Sequence, residues 1–325
     1  MLRVISKGVV HESSAALIAG VCRCVNGDIL VSFNSGGDLS AGQQALVVRS
    51  RDGGSTWGEP EARFESVFKG GGIEAGCSLT RLSNGRLLLP YADGFYLHPG
   101  SDNYDRHALL FCPLSDDNGV TWSSSKAQGY EGLEAFAFGR VVGLPGGDLL
   151  LPLWGAYDRQ GQWVPAVLRS SDGGQTWGGH SPIVCDGDET PIALLPDGRL
   201  LALLRGYTRD TKRPFHVSHS SDAGQTWSEP VMVNINGTAP SLHLSADGRL
   251  LAGFRSTLEG GNCHIASSED GGLTWRVELE LELPKGKWHY GGYPVLEDLL
   301  DGRLIATFHN GDPSWYTAYN ILSWA

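Results

Sequence analysis

The chain has 325 residues, 25 Lys+Arg against 36 Asp+Glu, and a formal net charge of -11 with no basic run. That balance excludes the positive field that draws a protein to nucleic acid. No apolar stretch reaches transmembrane length and the N-terminus lacks a basic-then-apolar leader, so a cytoplasmic protein without membrane contact is expected.

With 45 Gly, 10 Trp and few helical periodicities, residues 1–325 are expected to form a single all-β domain with a substantial core. The opening stretch Leu2 to Val10 reads as a strand with no sheet of its own. Cys22, Cys24, Cys77, Cys112, Cys185 and Cys263 have no metal-ligand spacing, and the expectation is buried free thiols.

Two signals then alternate along the chain. The first is a two-residue hairpin turn feeding an apolar strand: Asn26-Gly27-Asp28, Asn84-Gly85-Arg86, Gly146-Gly147-Asp148, Asp197-Gly198-Arg199, Asp247-Gly248-Arg249 and Asp301-Gly302-Arg303. The second is the box S-x-D-x-G-x-T-W, written five times with its Ser at 50, 115, 170, 220 and 268. Within a box the Asp is expected to accept backbone N–H groups. The Gly supplies φ > 0, the β-branched Thr starts the outgoing strand and the Trp caps the core. A repeat of about 50 to 65 residues is the spacing of propeller blades. Each unit reads strand, turn, strand, loop, strand, box, strand, and six turns predict a six-bladed β-propeller of four-stranded antiparallel blades. The last unit stops one strand short at Tyr316 to Trp324, and the opening strand is expected to complete it. The longer loops are Ala92 to Arg106 and Arg205 to Arg213.

Propellers bind ligands at one mouth of the channel, where the inner strands begin. The stretches before the six turns hold His11-Glu12-Ser13, Glu74, Glu134, Asp188-Glu189-Thr190-Pro191, Ala239-Pro240-Ser241 and Trp288-His289-Tyr290-Gly291-Gly292-Tyr293-Pro294. Glu189, Ala239 and Tyr293 each lie ten residues before Arg199, Arg249 and Arg303, which predicts equivalent places in three successive units. Arg205, Arg255 and His309 stand six residues after those turns, which predicts an opening lined by cations. The boxes lack the alternating ligands and terminal Glu of a Ca²⁺ loop, so no metal and no other cofactor is expected.

On these boxes and turns the chain resembles the sialidase superfamily of Asp-box (BNR-repeat) six-bladed propellers over essentially its whole length. The resemblance implies a glycoside hydrolase with a Tyr nucleophile assisted by a Glu, an arginine triad gripping a sugar carboxylate, and an Asp acid/base. A neutral phenol approaches a carboxylate-bearing anomeric centre with less repulsion than a carboxylate does. Guanidinium forks suit a planar carboxylate. Glu189 with Arg205 sixteen residues on, and Tyr293 in Gly292-Tyr293-Pro294-Val295-Leu296, match the family's positions. The first arginine's place reads His11-Glu12-Ser13-Ser14-Ala15, and Gly261-Asn262-Cys263-His264 fills the approach of the third. With the triad incomplete, the resemblance implies an acidic sugar rather than sialic acid in particular.

The expected reaction is exo-acting hydrolysis of a terminal acidic sugar. Tyr293 is the nucleophile and Glu189 its base, Asp38 or Glu12 the acid/base, and Arg205 and Arg255 the anion clamp. His11, His289, Tyr290, His309, Glu74 and Glu134 are further substrate contacts. A variant without Tyr would use two of Glu12, Glu74, Glu134 and Glu189 on a neutral sugar. A polysaccharide lyase would need a cation on the uronate and a His or Tyr as base, which Arg205, Arg255, His289, Tyr290, Tyr293 and His11 could supply. A non-catalytic glycan- or protein-binding propeller remains the third possibility, because fold does not fix function.

Overall fold

The computed structural model describes residues 1–12, 17–37, 39–96, 106–123, 136–157, 163–185, 187–207, 214–257, 261–311 and 314–325. Every regular element among them is a β-strand. The chain lays down antiparallel meanders in sequence order. The first is Leu17–Arg23, Ile29–Asn34, Ala45–Ser50 and Ala62–Phe64. The second falls into two three-stranded pieces, Gly72–Glu74 with Tyr91–Tyr96 and Arg106–Phe111, and Thr80–Arg81 with Leu87–Leu88 and Leu114–Ser115. In the third, Phe136–Ala137 and Val142–Gly143 pair with Leu149–Tyr157, followed by Trp163–Ser170 and Gly178–Pro182.

A seven-stranded sheet holds the fourth and fifth meanders: Ile192–Leu194, Leu200–Leu204, Pro214–Ser220, Val231–Leu244, Leu250–Ser256, Cys263–Ser268 and Arg276–Glu280. They are continuous because Val231–Leu244 ends one and begins the next. In the last sheet Gly292–Asp298, Leu304–Asn310 and Tyr316–Trp324 are followed by Leu2–Glu12, so the opening strand does supply the fourth place. Residues 92–96, expected in a loop, belong to the strand Tyr91–Tyr96.

Each turn between first and second strands closes on a glycine with φ between +79° and +94°, a region that costs any residue with a Cβ. The boxes follow the third strands. In Ser170 to Trp177, Asp172 accepts from Ser170 Oγ (2.8 Å), Gln175 N (3.0 Å), Thr176 N (2.9 Å) and Thr176 Oγ1 (2.6 Å). The Ser170 oxygen takes the N–H of Gly174, and Trp177 Nε1 donates to the Gly174 carbonyl at 3.1 Å. Thr176 lies in the turn itself, so its hydroxyl locks the Asp and strand propensity is not its use.

These hydrogen bonds hold Asp172 down to about 2, burial opposing and Thr176 contributing most to the fall. The folded value lies below the ordinary 3.8, so the stabilisation is complete above about pH 4 and is lost as pH falls toward 2. Asp172→Ala should cost roughly 1–2 kcal/mol at pH 7, at the low end for four charge-assisted bonds because the group is exposed. In denaturant unfolding, the gap to wild type should narrow at pH 2.5. A gap that persists there contradicts the assignment.

Strand alternation explains why the inner strands are apolar on both faces. Leu200, Ala202 and Leu204 pack with Leu150 and Val167 of the third meander, while Leu201 and Leu203 pack with Leu250 and Phe254 of the fifth. The same division recurs along the chain, with core clusters joining the first meander to the second, the second to the third and the fifth to the last. A further cluster joins Ile18, Val21 and Ile29 of the first meander to Val295, Ile305 and Ile321 of the last. Cys22, Cys24, Cys77, Cys112 and Cys263 are buried free thiols, whereas Cys185 is exposed.

Candidate active site

The site is built on irregularities in the inner strands. In the last sheet, Gly292 pairs with His309 and Val295 with Thr307, so Tyr293 and Pro294 together oppose Phe308. In the fifth meander Ala239 and Pro240 oppose Phe254, and in the first Ile18 and Ala19 oppose Phe33. The first residue of each bulge is left-handed: φ is +54° at Ile18, +52° at Ala239 and +52° at Tyr293. A bulge re-aims a side chain at the cost of strain, and for an aromatic residue at positive φ that strain is on the order of 1–3 kcal/mol. In the fourth meander Asp188 N bonds the Arg205 carbonyl at 3.0 Å, as Thr238 pairs with Arg255 and Gly292 with His309. Glu189, Ala239 and Tyr293 therefore follow equivalent residues on three successive inner strands.

Two of these meet. Tyr293 Oη donates to Glu189 Oε1 at 2.5 Å, across 104 residues of sequence. The other carboxylate oxygen, Oε2, accepts from Arg205 Nη1, and Arg205 Nε lies 3.5 Å from Asp188 Oδ2. The Glu189 side chain is 6% exposed and that of Arg205 17%. Burial pushes the Glu189 carboxyl above its ordinary value, with the Arg205 charge pulling against it and Asp188 adding to the rise. Burial and the Glu189 charge hold the Tyr293 phenol well above 10, so it is protonated at neutral pH. Phe138 meets the Tyr293 ring edge-on at 6.0 Å, and Cys77 shares its cluster.

Arg255 stands beside this pair in a different state from Arg205. Its Nε donates to Thr238 Oγ1 at 3.0 Å, its Nη1 to the Gly291 carbonyl at 3.1 Å, and its Cζ lies 4.9 Å over the Tyr290 ring. Among the described residues no carboxylate lies within ion-pair distance of it, whereas Arg205 has two. Tyr290 is 62% exposed and meets Trp315 edge-on.

His309 does not join Arg205 and Arg255 as a cation. It is fully buried, its Nδ1 accepts the Ile18 N–H at 3.2 Å, and burial followed by the Arg255 charge pushes it down to about 3. It is a neutral ring packed between Tyr293 and Trp315.

Glu12 ends the outermost strand of the last sheet, exposed and bonded to Lys285 Nζ at 2.7 Å, and is not part of the cluster. His11 stacks on Phe33 at 4.9 Å from the same strand, so neither residue holds the inner-strand place read for it. Glu74 is buried on Gly72–Glu74, opposite Ala92. His289 is exposed, and its backbone is tied to Asn310. Asp38 and Glu134 lie outside the described residues.

Sequence reading missed Asp188 and Thr238 as partners of the two arginines. It also missed Arg140, whose Nη2 donates to the carbonyls of Val21 (2.5 Å) and Leu296 (2.7 Å) and pairs with Glu297 (2.7 Å). One side chain from the third meander thus ties the first to the last. Its only sequence signal was a charge inside an apolar inner stretch, Phe138-Gly139-Arg140-Val141-Val142.

Residues 112–239 match the sequence profile of the BNR repeat-like domain. Over 100% of this chain and 99% of the other, the fold is similar to a Dyadobacter fermentans protein of unknown function, at TM-score 0.85 and 20% identity. A Hadza microbial sialidase, Hz136, matches at TM-score 0.71 and 20% identity over 95% of this chain and 66% of its own. A Penicillium chrysogenum alpha-L-arabinanase complexed with arabinobiose matches at TM-score 0.69 and 16% identity over 98% of each chain. No curated protein sequence matches this chain significantly. The chain thus matches the BNR repeat-like profile over part of its length, and its fold is similar to those of a sialidase and an arabinanase.

Proposed function

We propose that this protein is a six-bladed β-propeller closed by its opening strand, and a sialidase-like exo-glycoside hydrolase acting on a terminal acidic sugar. The observation that carries the reading is the 2.5 Å contact between Tyr293 Oη and Glu189 Oε1, made by residues from two different meanders. Glu189 takes the phenol proton as Tyr293 attacks the anomeric carbon, and Arg205 holds the carboxylate in place. Of the two arginines, Arg255 serves as the clamp for the sugar's carboxylate, because Arg205 is paired with Glu189 and Asp188. Asp38 is the acid/base of this reading, Glu12 having been lost to Lys285. The eliminating alternative has less support: His11 stacks on Phe33 from the outermost strand of the last sheet, and His289 is exposed.

The test is turnover of fluorogenic glycosides: an α-sialoside, a β-glucuronide and an α-L-arabinofuranoside. An anionic glycoside should be hydrolysed. Arg255→Gln should raise its KM by about 10- to 100-fold, the loss of a charge-assisted pair, and leave any neutral activity alone. Preference for the arabinofuranoside with no effect of Arg255→Gln overturns the acidic-sugar assignment. A new unsaturated-uronate absorbance from polyuronate overturns hydrolysis.

A further inference from the structure

We propose that the fifth meander is a cradle for the bulge that carries Tyr293, and that Gly253 and Ser241 are positioning residues that set how far Tyr293 reaches toward Glu189. The inference rests on the reading of Tyr293 as the reacting residue. Ser241 and Gly253 sit directly opposite each other in the ladder between Val231–Leu244 and Leu250–Ser256. Both face the carbonyl of Pro294, the second residue of the Tyr293 bulge. Ser241 Oγ donates to that carbonyl oxygen. A Cβ on Gly253 would lie 2.4 Å from the same oxygen, 2.8 Å from Ser241 Oγ and 3.1 Å from Pro294 Cγ.

Gly253 is not among the residues with positive φ, so the glycine is needed for room and not for conformation. Its equivalents before Phe33 and Phe308 are Ser32 and Thr307, so the place takes a side chain in the first and last sheets. The position equivalent to Tyr293 and Glu189 on the intervening strand is Ala239, whose side chain is a single buried methyl. The fifth meander is thus stripped where the last leans on it. The strained Tyr293 backbone is held from outside its own sheet, as a strained functional residue must be.

The test is NMR of protein carrying [¹³Cζ]tyrosine, with the Tyr293 line identified by its loss in Tyr293→Phe. In wild type that line should not titrate near pH 10. In Gly253→Ala it should move, and its ionisation should fall toward the ordinary tyrosine value as the phenol leaves Glu189. Ser241→Ala, which adds no bulk, should do the same by a smaller amount, and it alone decides if Gly253→Ala does not fold. On the hydrolysed glycoside, kcat should fall about 10- to 100-fold with KM little changed. A Tyr293 line and titration unchanged in any folded variant overturns the proposal. The signal needs no turnover, so an unchanged spectrum defeats the cradle whatever the protein hydrolyses. A moved line in a protein inert to every glycoside defeats only the catalytic reading.

Discussion

Tyr293→Phe is expected to lower kcat by about 10³-fold or more while KM stays close to wild type. The substitution removes one oxygen and keeps the ring that meets Phe138 and His309, so packing survives and only the reacting group is lost. The pH profile should carry a second mark of the pair. Glu189 must be ionised to take the phenol proton, and burial raises its carboxyl above the ordinary glutamate value. Activity should therefore rise with pH through an acid limb above about 4.5. Tyr293 is held well above 10, so it should not itself produce an alkaline limb below that pH. An acid limb near 4 with full activity in Tyr293→Phe contradicts both assignments.

Glu189→Ala should be the most destabilising single change at the site. It leaves the Arg205 guanidinium, 17% exposed, without its closest counter-charge, and breaking a buried pair from one side costs about 3–5 kcal/mol. Asp188, 3.5 Å from Arg205 Nε, takes up part of the charge, so a loss of about 3 kcal/mol in denaturant unfolding is expected. Glu189→Ala with Arg205→Met removes both charges and should recover most of it, because a buried ion pair adds little over an apolar pair of similar volume. Stability of Glu189→Ala equal to wild type contradicts the pairing. Activity should be lost in both variants, separating the base from the structural ion pair.

The meanders were readable because their signals are local: a glycine at positive φ, and an Asp, Ser and Thr that bond within eight residues. The shared register of Glu189, Ala239 and Tyr293 followed from counting back from those turns. What stayed hidden was non-local. No glycine or proline lies between Leu2 and Leu17 other than Gly8, so nothing in the sequence marks where the outermost strand of the last sheet stops. His11 and Glu12 were read into the wrong strand for that reason. Arg205 and Arg255 end apolar strands alike, and only the folded chain shows that one is neutralised by Asp188 and Glu189 while the other leans on Tyr290. His309 looked like a third cation because burial cannot be seen one residue at a time.

The pair at the heart of the site can be tested by mapping the covalent adduct left by an activated fluoro-sugar of whichever glycoside the protein hydrolyses. Digestion and mass spectrometry should place the sugar on the peptide bearing Tyr293, on the phenolic oxygen, and Tyr293→Phe should take up none. An adduct on Glu189 or on any other carboxylate, with Tyr293 unmodified, would mean that Tyr293 is not the nucleophile.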